Sequence, residues 1–239
     1  MTPVRLECVS KTRGCGPRAV QVLHDVSLAV DAGEFVLLEG PSGSGKTTLL
    51  AVAGGILTPE TGRVFLDGRE LHADSRAIDR SRRAKAVGFV FQRSNLLPQL
   101  SVRENILLMG RVAGLRSDEA SREADELLAR LGLARLRDRY PRELSCGEEQ
   151  RVAVVRALVH RPSVVLADEP TGNLDSHAGL TVAESLAELA RARNSAVIVA
   201  THDIRIASFA SRVIKIEDGR IRPEAAGRPP ACPAGMDGK

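Results

Sequence analysis

Short apolar runs of strand length recur along the chain and are separated by segments with helical periodicity. The runs cover residues 5–9, 28–30, 34–38, 63–66, 87–91, 164–167, 196–200 and 212–216. This alternation of strands and helices predicts an α/β fold. The almost continuous apolar runs at 164–167 and 196–200 favour a parallel sheet covered on both faces. Asp67-Gly68 and Asp218-Gly219 indicate tight turns in an antiparallel part.

One stretch, from residue 101 to roughly residue 139, shows helical periodicity only. It begins with Ser101 and Glu104, the spacing of a capping box, in which a hydroxyl and a carboxylate satisfy backbone donors at a helix start. Ser117 opens a second helix, and its apolar residues recur at helical spacing: Ala124, Leu127, Leu128 and Leu131. We therefore expect a helical insertion in the α/β domain.

The overall composition is that of a folded globular chain with one compact domain and an embedded subdomain, or with two small domains. The 239 residues are 43% hydrophobic and 27% charged, which supplies a sizeable core. The C-terminal residues 223–239 contain four Pro and three Gly and are expected to form a disordered tail.

The sequence pattern predicts no membrane-spanning segment in these residues. Its longest run without a charged residue covers residues 47–59, which is shorter than the roughly 18 apolar residues of a membrane span. The N-terminus lacks the apolar region of a secretory signal, so a cytoplasmic location is expected and any membrane role must use a partner. A net charge of +4 and six aromatic residues argue against a nucleic-acid partner.

A glycine-rich motif for binding phosphate follows the run 34–38 and precedes a helical segment. Residues 40–47, GPSGSGKT, match the pattern GxxxxGK[ST] in the context that it requires. Backbone N–H groups of such a loop surround phosphate oxygens, Lys46 adds a point charge, and the Thr47 hydroxyl can bind Mg²⁺. The predicted ATP-binding residues are Gly40, Pro41, Ser42, Gly43, Ser44, Gly45, Lys46, Thr47 and Thr48.

A second candidate element is the apolar run 164–167, which ends in two carboxylates, Asp168 and Glu169. Beside a phosphate loop, Asp168 can hold Mg²⁺ through its water shell. Glu169 can polarise the water that attacks the terminal phosphate. Together with the phosphate loop, the pair predicts that water attacks a bound phosphate with Mg²⁺ as a cofactor.

The segment 144–151, LSCGEEQR, is the most diagnostic one. Ser145 and Glu148 form a second capping box, and Gly147 allows a backbone to approach an anion. The segment resembles the LSGGQ signature of ATP-binding cassette (ABC) ATPases, in the variant LSCGE. This resemblance covers roughly residues 6–221 and includes every motif of the family in order.

The resemblance implies a P-loop NTPase cassette with a RecA-like parallel-sheet core, an N-terminal antiparallel β subdomain and an inserted helical signature subdomain. The ATPase domain would cover residues 1–222, with the helical subdomain at about 93–160. It also assigns roles. Gln92 would be the Q-loop residue, which contacts the metal and the catalytic site, and His202 the switch histidine, which contacts the γ-phosphate together with Lys46.

Two such cassettes sandwich two ATP molecules in the family, which implies that this chain pairs with a second copy or with a homologous cassette. Each signature then faces the phosphate loop of the other subunit. The residues predicted to act in trans are Ser145, Cys146, Gly147 and Glu148 of the signature and Asp175 of the D-loop at 172–175.

Two positions depart from the family pattern. Family members stack adenine on an aromatic residue near the first strand, but residues 1–34 contain no aromatic residue, and Arg13 occupies that neighbourhood. We expect its guanidinium to stack on adenine by a cation–π contact. Cys146 replaces the first Gly of the signature, which predicts lower or thiol-sensitive activity.

Within the family, the sequence resembles most the cassettes of lipoprotein-release, macrolide-export and related heterocyst-glycolipid-export systems, in which the ATPase is a separate subunit. That similarity implies an integral membrane permease as partner and, through it, an extracytoplasmic adaptor. The alternative is a cell-division type cassette that regulates cell-wall remodelling. A cassette for translation or DNA maintenance would carry two cassettes or long coiled coils, and a GTPase would carry an NKxD motif; this chain has neither.

Overall fold

The computed structural model describes residues 2–71, 76–172, 174 and 176–222. These residues form two sheets with helices packed around them. Among them, every helix is too short or too polar to span a lipid bilayer. The expected tail at 223–239 lies outside the described residues.

The first sheet is antiparallel and has the strand order β2-β1-β4-β5. A register shift near Cys8, which has a φ of +49°, bends β1 where it pairs with both neighbours. The strands are β1 (Val4–Arg13), β2 (Val20–Val30), β4 (Thr61–Leu66) and β5 (Arg69–Glu70).

The second sheet has six strands in the order β10-β9-β3-β8-β7-β6. Five of them are parallel, and β10 pairs antiparallel with β9 at the edge. They are β3 (Phe35–Glu39), β6 (Val87–Val90), β7 (Val164–Asp168), β8 (Ala196–Ala200), β9 (Arg212–Glu217) and β10 (Arg220–Ile221). All residues of β7 and β8 are buried, as expected for central parallel strands.

In the part of the chain that the structure describes, six α-helices accompany the sheets. Helix α1 begins at Lys46 in the phosphate loop, and the helices α3, α4 and α5 pack on one another as the expected helical insertion. Their bounds are α1 (Lys46–Ala53), α2 (Arg76–Ala86), α3 (Val102–Val112), α4 (Ser117–Arg130), α5 (Cys146–Leu158) and α6 (Ser176–Arg193). Short 3-10 helices cover Gly16–Arg18, Ala134–Leu136, Pro141–Glu143 and Ile204–Phe209.

The parallel sheet separates two hydrophobic cores, and the alternation of side chains along each strand feeds both. In β3, Phe35 and Leu37 enter the core shared with the helical insertion and α6. Val36 and Leu38 enter the core shared with α1 and the antiparallel sheet. Strand β3 is therefore fixed from both faces, and it carries the phosphate loop at its carboxyl end.

The predicted α/β architecture is confirmed, as are the tight turns at Asp67-Gly68 and Asp218-Gly219, which close the hairpins β4–β5 and β9–β10. The sequence pattern did not predict helix α2. Most of its residues are charged or small, so it contains no apolar run of the kind on which the prediction relied. The limits 1–222 and 93–160 stay predictions.

Candidate functional site

The phosphate loop connects β3 to α1 in a tight turn that only glycine permits at two positions. Gly45 precedes the helix with a φ of +104°, and a Cβ atom there would lie 2.9 Å from the Val22 carbonyl oxygen. A Cβ atom at Gly40 would lie 2.2 Å from the carbonyl oxygen of Ile216 in β9. The loop is therefore held against both sheets, and its glycines keep the backbone exposed for a ligand.

Lys46 lies inside this loop. Its ammonium group donates to the carbonyl oxygens of Gly40 at 2.6 Å and Pro41 at 2.9 Å. An ammonium group has three protons, so one donor is left for a phosphate oxygen. The hydroxyl of Ser44 is buried and has no hydrogen-bond partner among the described residues, which leaves the loop with an unused polar group.

The carboxyl ends of β3, β7 and β8 open into a cleft of about 570 Å³, within the usual size range of small-molecule sites. Of the residues predicted to bind the nucleotide within one chain, all but Ser44 and Arg13 line this cleft. The lining residues are Val22, Gly40, Pro41, Ser42, Gly43, Gly45, Lys46, Thr47, Thr48, Gln92, Asp168, Glu169 and His202.

Asp168 lies at the end of β7 with an exposed fraction of 7%. Burial raises the pKa of its carboxyl group; the hydrogen bond with Thr47 opposes this rise, the nearby charge of Glu169 adds to it, and Lys46 opposes it. The hydroxyl of Thr47 and the carboxylate of Asp168 thus lie side by side in the cleft.

These oxygens fit Mg²⁺. The described residues contain no group of three or more His, Cys, Asp or Glu side chains that could hold a metal by themselves. Mg²⁺ is commonly held by one or two protein oxygens together with substrate phosphates and water. Thr47 and Asp168 supply this kind of donor set next to the phosphate loop.

Glu169 follows Asp168 and turns the chain out of β7 with a φ of +47°. Its N–H group donates to the carbonyl oxygen of Ala200 at 2.7 Å. The carboxylate has two partners on the chain after β8: Oε2 accepts from the Thr201 hydroxyl, and Oε1 lies 2.9 Å from Nδ1 of His202. The structure therefore brings Glu169 and His202 together at the mouth of the cleft.

Gln92 lies two residues beyond the end of β6, and its side chain is exposed in the same cleft. The chain before it is held by Gln150 of α5, whose Nε2 donates to the carbonyl oxygen of Phe91 at 3.0 Å. This contact connects the helical insertion to the segment that carries Gln92.

The signature segment forms the start of α5 and lies outside the cleft. Ser145 caps the helix, and its hydroxyl and the carboxylate of Glu148 bond to each other and to each other's backbone N–H groups. The N–H group of Ser145 holds the pKa of Glu148 below its usual value. Cys146 is an exposed free thiol, and a Cβ atom at Gly147 would lie 3.4 Å from the Leu174 side chain. None of these residues meets Lys46 within one chain.

One further predicted residue, Arg13, is not brought to the cleft. Arg13 is exposed at the end of β1, opposite Val20. Val22, two residues further along β2, is the residue of the antiparallel sheet that lines the cleft. Asp175 lies outside the described residues.

Sequence reasoning missed Thr201 and Asp203, which flank His202, and also Val22. Thr201 bonds to Glu169, and the N–H group of Asp203 bonds to Thr201. The available signal was a hydroxyl residue at the end of the fully apolar run 196–200, a position as unusual as the carboxylates that end β7.

Comparison with known proteins agrees with this geometry. The family profile described as "ABC transporter" matches residues 23–172. The protein named "Putative hemin import ATP-binding protein HrtA" of Staphylococcus haemolyticus is 41% identical over 219 residues, which cover 91% of this chain and 98% of HrtA.

Solved structures also resemble this chain. The ATP-binding cassette MJ0796, as a dimer in a post-hydrolysis state bound to ADP and Pi, is 36% identical with a TM-score of 0.84, covering 92% of this chain and 97% of that one. CbiO1 of Clostridium perfringens, part of the ABC transporter complex cbiONQ, is 28% identical with a TM-score of 0.79, covering 93% and 87%.

Proposed function

Because the chain belongs to the ABC transporter ATPase family, we propose that it hydrolyses ATP to drive a separate membrane permease. The observation that carries the proposal is the single cleft that joins the phosphate loop to Asp168, Glu169 and His202. Lys46 would contact the transferred phosphate through its remaining donor, and Glu169 would accept the proton of the attacking water.

The other residues of the cleft would orient these groups. Thr47, Asp168 and Gln92 would hold Mg²⁺, which neutralises charge on the phosphates when it is bound. His202 would contact the γ-phosphate with the nitrogen that does not face Glu169. The backbone of residues 40–48 would surround the phosphates.

We propose further that the active form is a dimer, of this chain with itself or with a homologous cassette. The signature residues 145–148 and the cleft lie apart in one chain, so a second subunit can supply them in trans. MJ0796 is a dimer in its bound state, which supports this arrangement. Asp175 would join the same interface.

We propose two candidates for the transported substrate. The sequence motifs favour lipoprotein release or macrolide export, with a permease and an extracytoplasmic adaptor as partners. The identity of 41% with HrtA over most of both chains favours hemin transport as a second candidate. In either case the chain would act at the cytoplasmic face of the membrane, bound to its permease, and we propose no nucleic-acid partner.

Replacing Glu169 by Gln tests the ATPase proposal. A neutral amide cannot accept the proton, so we expect turnover to fall by at least about 100-fold while ATP binding persists. In the presence of ATP, E169Q should then accumulate as a dimer. Size-exclusion chromatography with light scattering detects this dimer. Full turnover by E169Q, or a monomer at saturating ATP, would contradict the proposal.

Purifying E169Q with Mg-ATP from solubilised membranes tests the partner. We expect a permease, and mass spectrometry of the copurified proteins identifies its class. An adaptor or lipoprotein carrier would support export or lipoprotein release, and heme bound to the complex would support hemin transport. A cell-wall hydrolase would support the regulatory alternative, and recovery without any membrane protein would overturn the permease partnership.

A further inference from the structure

We propose that Thr201 is a positioning residue that fixes the carboxylate of Glu169 for proton transfer. This inference rests on the proposed function, in which Glu169 is the general base. It follows from the direction of two hydrogen bonds, from the contrast in exposure between the two partners of Glu169, and from the backbone conformation of Glu169.

The hydroxyl of Thr201 can point its proton in one direction only. Its Oγ1 atom accepts a hydrogen bond from the N–H group of Asp203 at 3.1 Å. The hydroxyl carries a single proton, and Oε2 of Glu169 lies 2.9 Å away as an acceptor. The exposed fraction of Thr201 is 2%, so water does not compete for this proton.

The two partners of Glu169 differ in a way that assigns them different tasks. The side chain of His202 is 80% exposed and lies at the mouth of the cleft. It can therefore turn toward a nucleotide without opening the core. Thr201 is buried at the end of β8 and stays where the sheet places it. The carboxylate thus has one fixed contact and one exposed contact.

Glu169 has a backbone conformation that depends on contacts with the chain around it. Its φ of +47° lies in the left-handed region, where a non-glycine residue is held by its surroundings. The bond from its N–H group to Ala200 holds the backbone, and the Thr201 hydroxyl holds the side chain. The last residue of β8 and the residue after it thereby hold the backbone and the side chain of Glu169, which directly follows β7.

Contacts of Asp203 hold Thr201 in place in turn. The carboxylate of Asp203 accepts hydrogen bonds from Nε and Nη2 of Arg205 at 2.7 Å and 2.6 Å. The hydroxyl of Thr171 lies 3.4 Å from the same carboxylate. These bonds hold the backbone of Asp203, whose N–H group orients the Thr201 hydroxyl.

The test compares three variants of the full chain in ATP hydrolysis. Thr201→Val keeps the shape and removes the hydroxyl, and Thr201→Ser keeps the hydroxyl. We expect T201V to lower kcat by about 10- to 100-fold with KM for ATP changed less than about threefold, because misplacing a catalytic group affects the chemical step. T201S should restore kcat to within about threefold of the wild type. Thr61→Val, at an exposed position of β4, is the matched control and should keep full turnover.

The amount of ATP-bound dimer is a second readout, and it separates a positioning defect from misfolding. If hydrolysis is slowed while ATP still binds, T201V should accumulate the ATP-bound dimer as E169Q does. A misfolded variant would form no such dimer. Wild-type kcat in T201V, or equal losses of kcat in T201V and T201S, would overturn the inference, and so would a loss confined to KM.

The E169Q variant separates this inference from the proposed function. If E169Q hydrolyses ATP normally, the proposed function fails. If E169Q is inactive and T201V is fully active, only the positioning role of Thr201 fails. In an E169Q background, adding Thr201→Val should cause no further loss of turnover.

Discussion

The carboxylate of Glu123 in α4 is fully buried and accepts a hydrogen bond from Nε of Arg161 at 2.8 Å. Its other oxygen pairs with Arg193, the last residue of α6. Arg161 follows α5, so one acidic side chain connects three helices. The contact joins the helical insertion to the helix that covers the parallel sheet.

Replacing Glu123 by Gln should therefore lower the free energy of unfolding. The substitution keeps the shape but leaves the two guanidinium groups without their shared partner. We expect a loss of about 2 to 3 kcal/mol, less than for a wholly buried pair because Arg161 is half exposed. Urea unfolding measures it, with the exposed Glu126→Gln of the same helix as the control. Equal stability of the two variants would show that the buried pair contributes nothing net.

Replacing Asp168 by Asn should stabilise the protein at neutral pH in the absence of nucleotide. Burial raises the pKa of Asp168, so its ionised form is less favourable in the folded than in the unfolded chain. The protonated form of Asp168 therefore contributes to the free energy of unfolding. This contribution is present in full below the ordinary pKa of 3.8 and is lost as the pH rises through the raised pKa.

The gain in D168N should accordingly shrink as the pH is lowered, and urea unfolding at several pH values measures this. Turnover should fall by at least about 100-fold because an amide binds Mg²⁺ more weakly than a carboxylate. Such a trade between stability and activity is common at functional sites. A variant that is less stable than the wild type at pH 7 would contradict the expected gain.

Ser145 and Ser101 allow the structural and the functional role of a helix cap to be separated. Ser101 and Glu104 form the same capping box at α3 that Ser145 and Glu148 form at α5. Each Ser→Ala change should cost about 1 kcal/mol of stability. Only S145A should also weaken ATP-driven dimer formation and turnover, because only Ser145 is proposed to contact a nucleotide in trans.

Thermal unfolding and ATP hydrolysis of both variants measure this difference. Equal turnover in S145A and S101A at equal loss of stability would remove Ser145 from the site. Unequal stability losses would instead show that the two caps, alike in geometry, differ in their surroundings.

Alkylation should inactivate the protein through Cys146. Cys15 and Cys146 are both exposed free thiols, but only Cys146 lies in the signature segment. We expect N-ethylmaleimide to lower turnover severalfold in the wild type and in Cys15→Ser, and to leave Cys146→Gly unaffected. The added group would occupy space next to the phosphate of the facing subunit. Inactivation of C146G to the same extent would exclude this site.

Arg13→Ala tests the proposed contact with adenine. A lost cation–π contact of about 0.5 to 1 kcal/mol would weaken ATP binding by about two- to fivefold at this exposed position. Binding of ATP and of GTP can be compared by calorimetry, with Arg18→Ala, another exposed arginine of the same connection, as the control. Unchanged affinity in R13A would leave Val22 as the residue of this sheet beside the nucleotide.

The parts of the site that sequence alone predicted are those whose chemistry is local. Gly45, Lys46 and Thr47 must be adjacent because one turn of backbone surrounds the phosphates, so their spacing survives in the sequence. The carboxylates that end β7 are visible for a similar reason, since an apolar strand rarely ends in two acids. The contact of Ser145 with a second subunit depends on how two chains assemble. The residues of one chain do not encode it locally, and only the family resemblance implied it.

Contacts between residues on separate strands could not be predicted from the sequence pattern. The role proposed for Thr201 depends on the parallel pairing of β7 with β8, and the position of Val22 depends on how the two sheets meet. Helix α2 was missed because its residues are predominantly charged and small. Strands β1 and β2 extend beyond their apolar runs since cross-strand hydrogen bonds, not side-chain pattern, hold their outer halves.

The turn at Gly219 supports the phosphate loop from behind. Its N–H group donates to the carbonyl oxygen of Ser44, and its own carbonyl oxygen accepts from the N–H group of His24. A Cβ atom at Gly219 would lie 2.1 Å from the carbonyl oxygen of Val22. A hairpin tip near the end of the described chain thus packs against the loop at residues 40–47. Tolerance to substitution at Gly219 should follow that of the loop glycines, far from it in sequence, and not that of an ordinary surface turn.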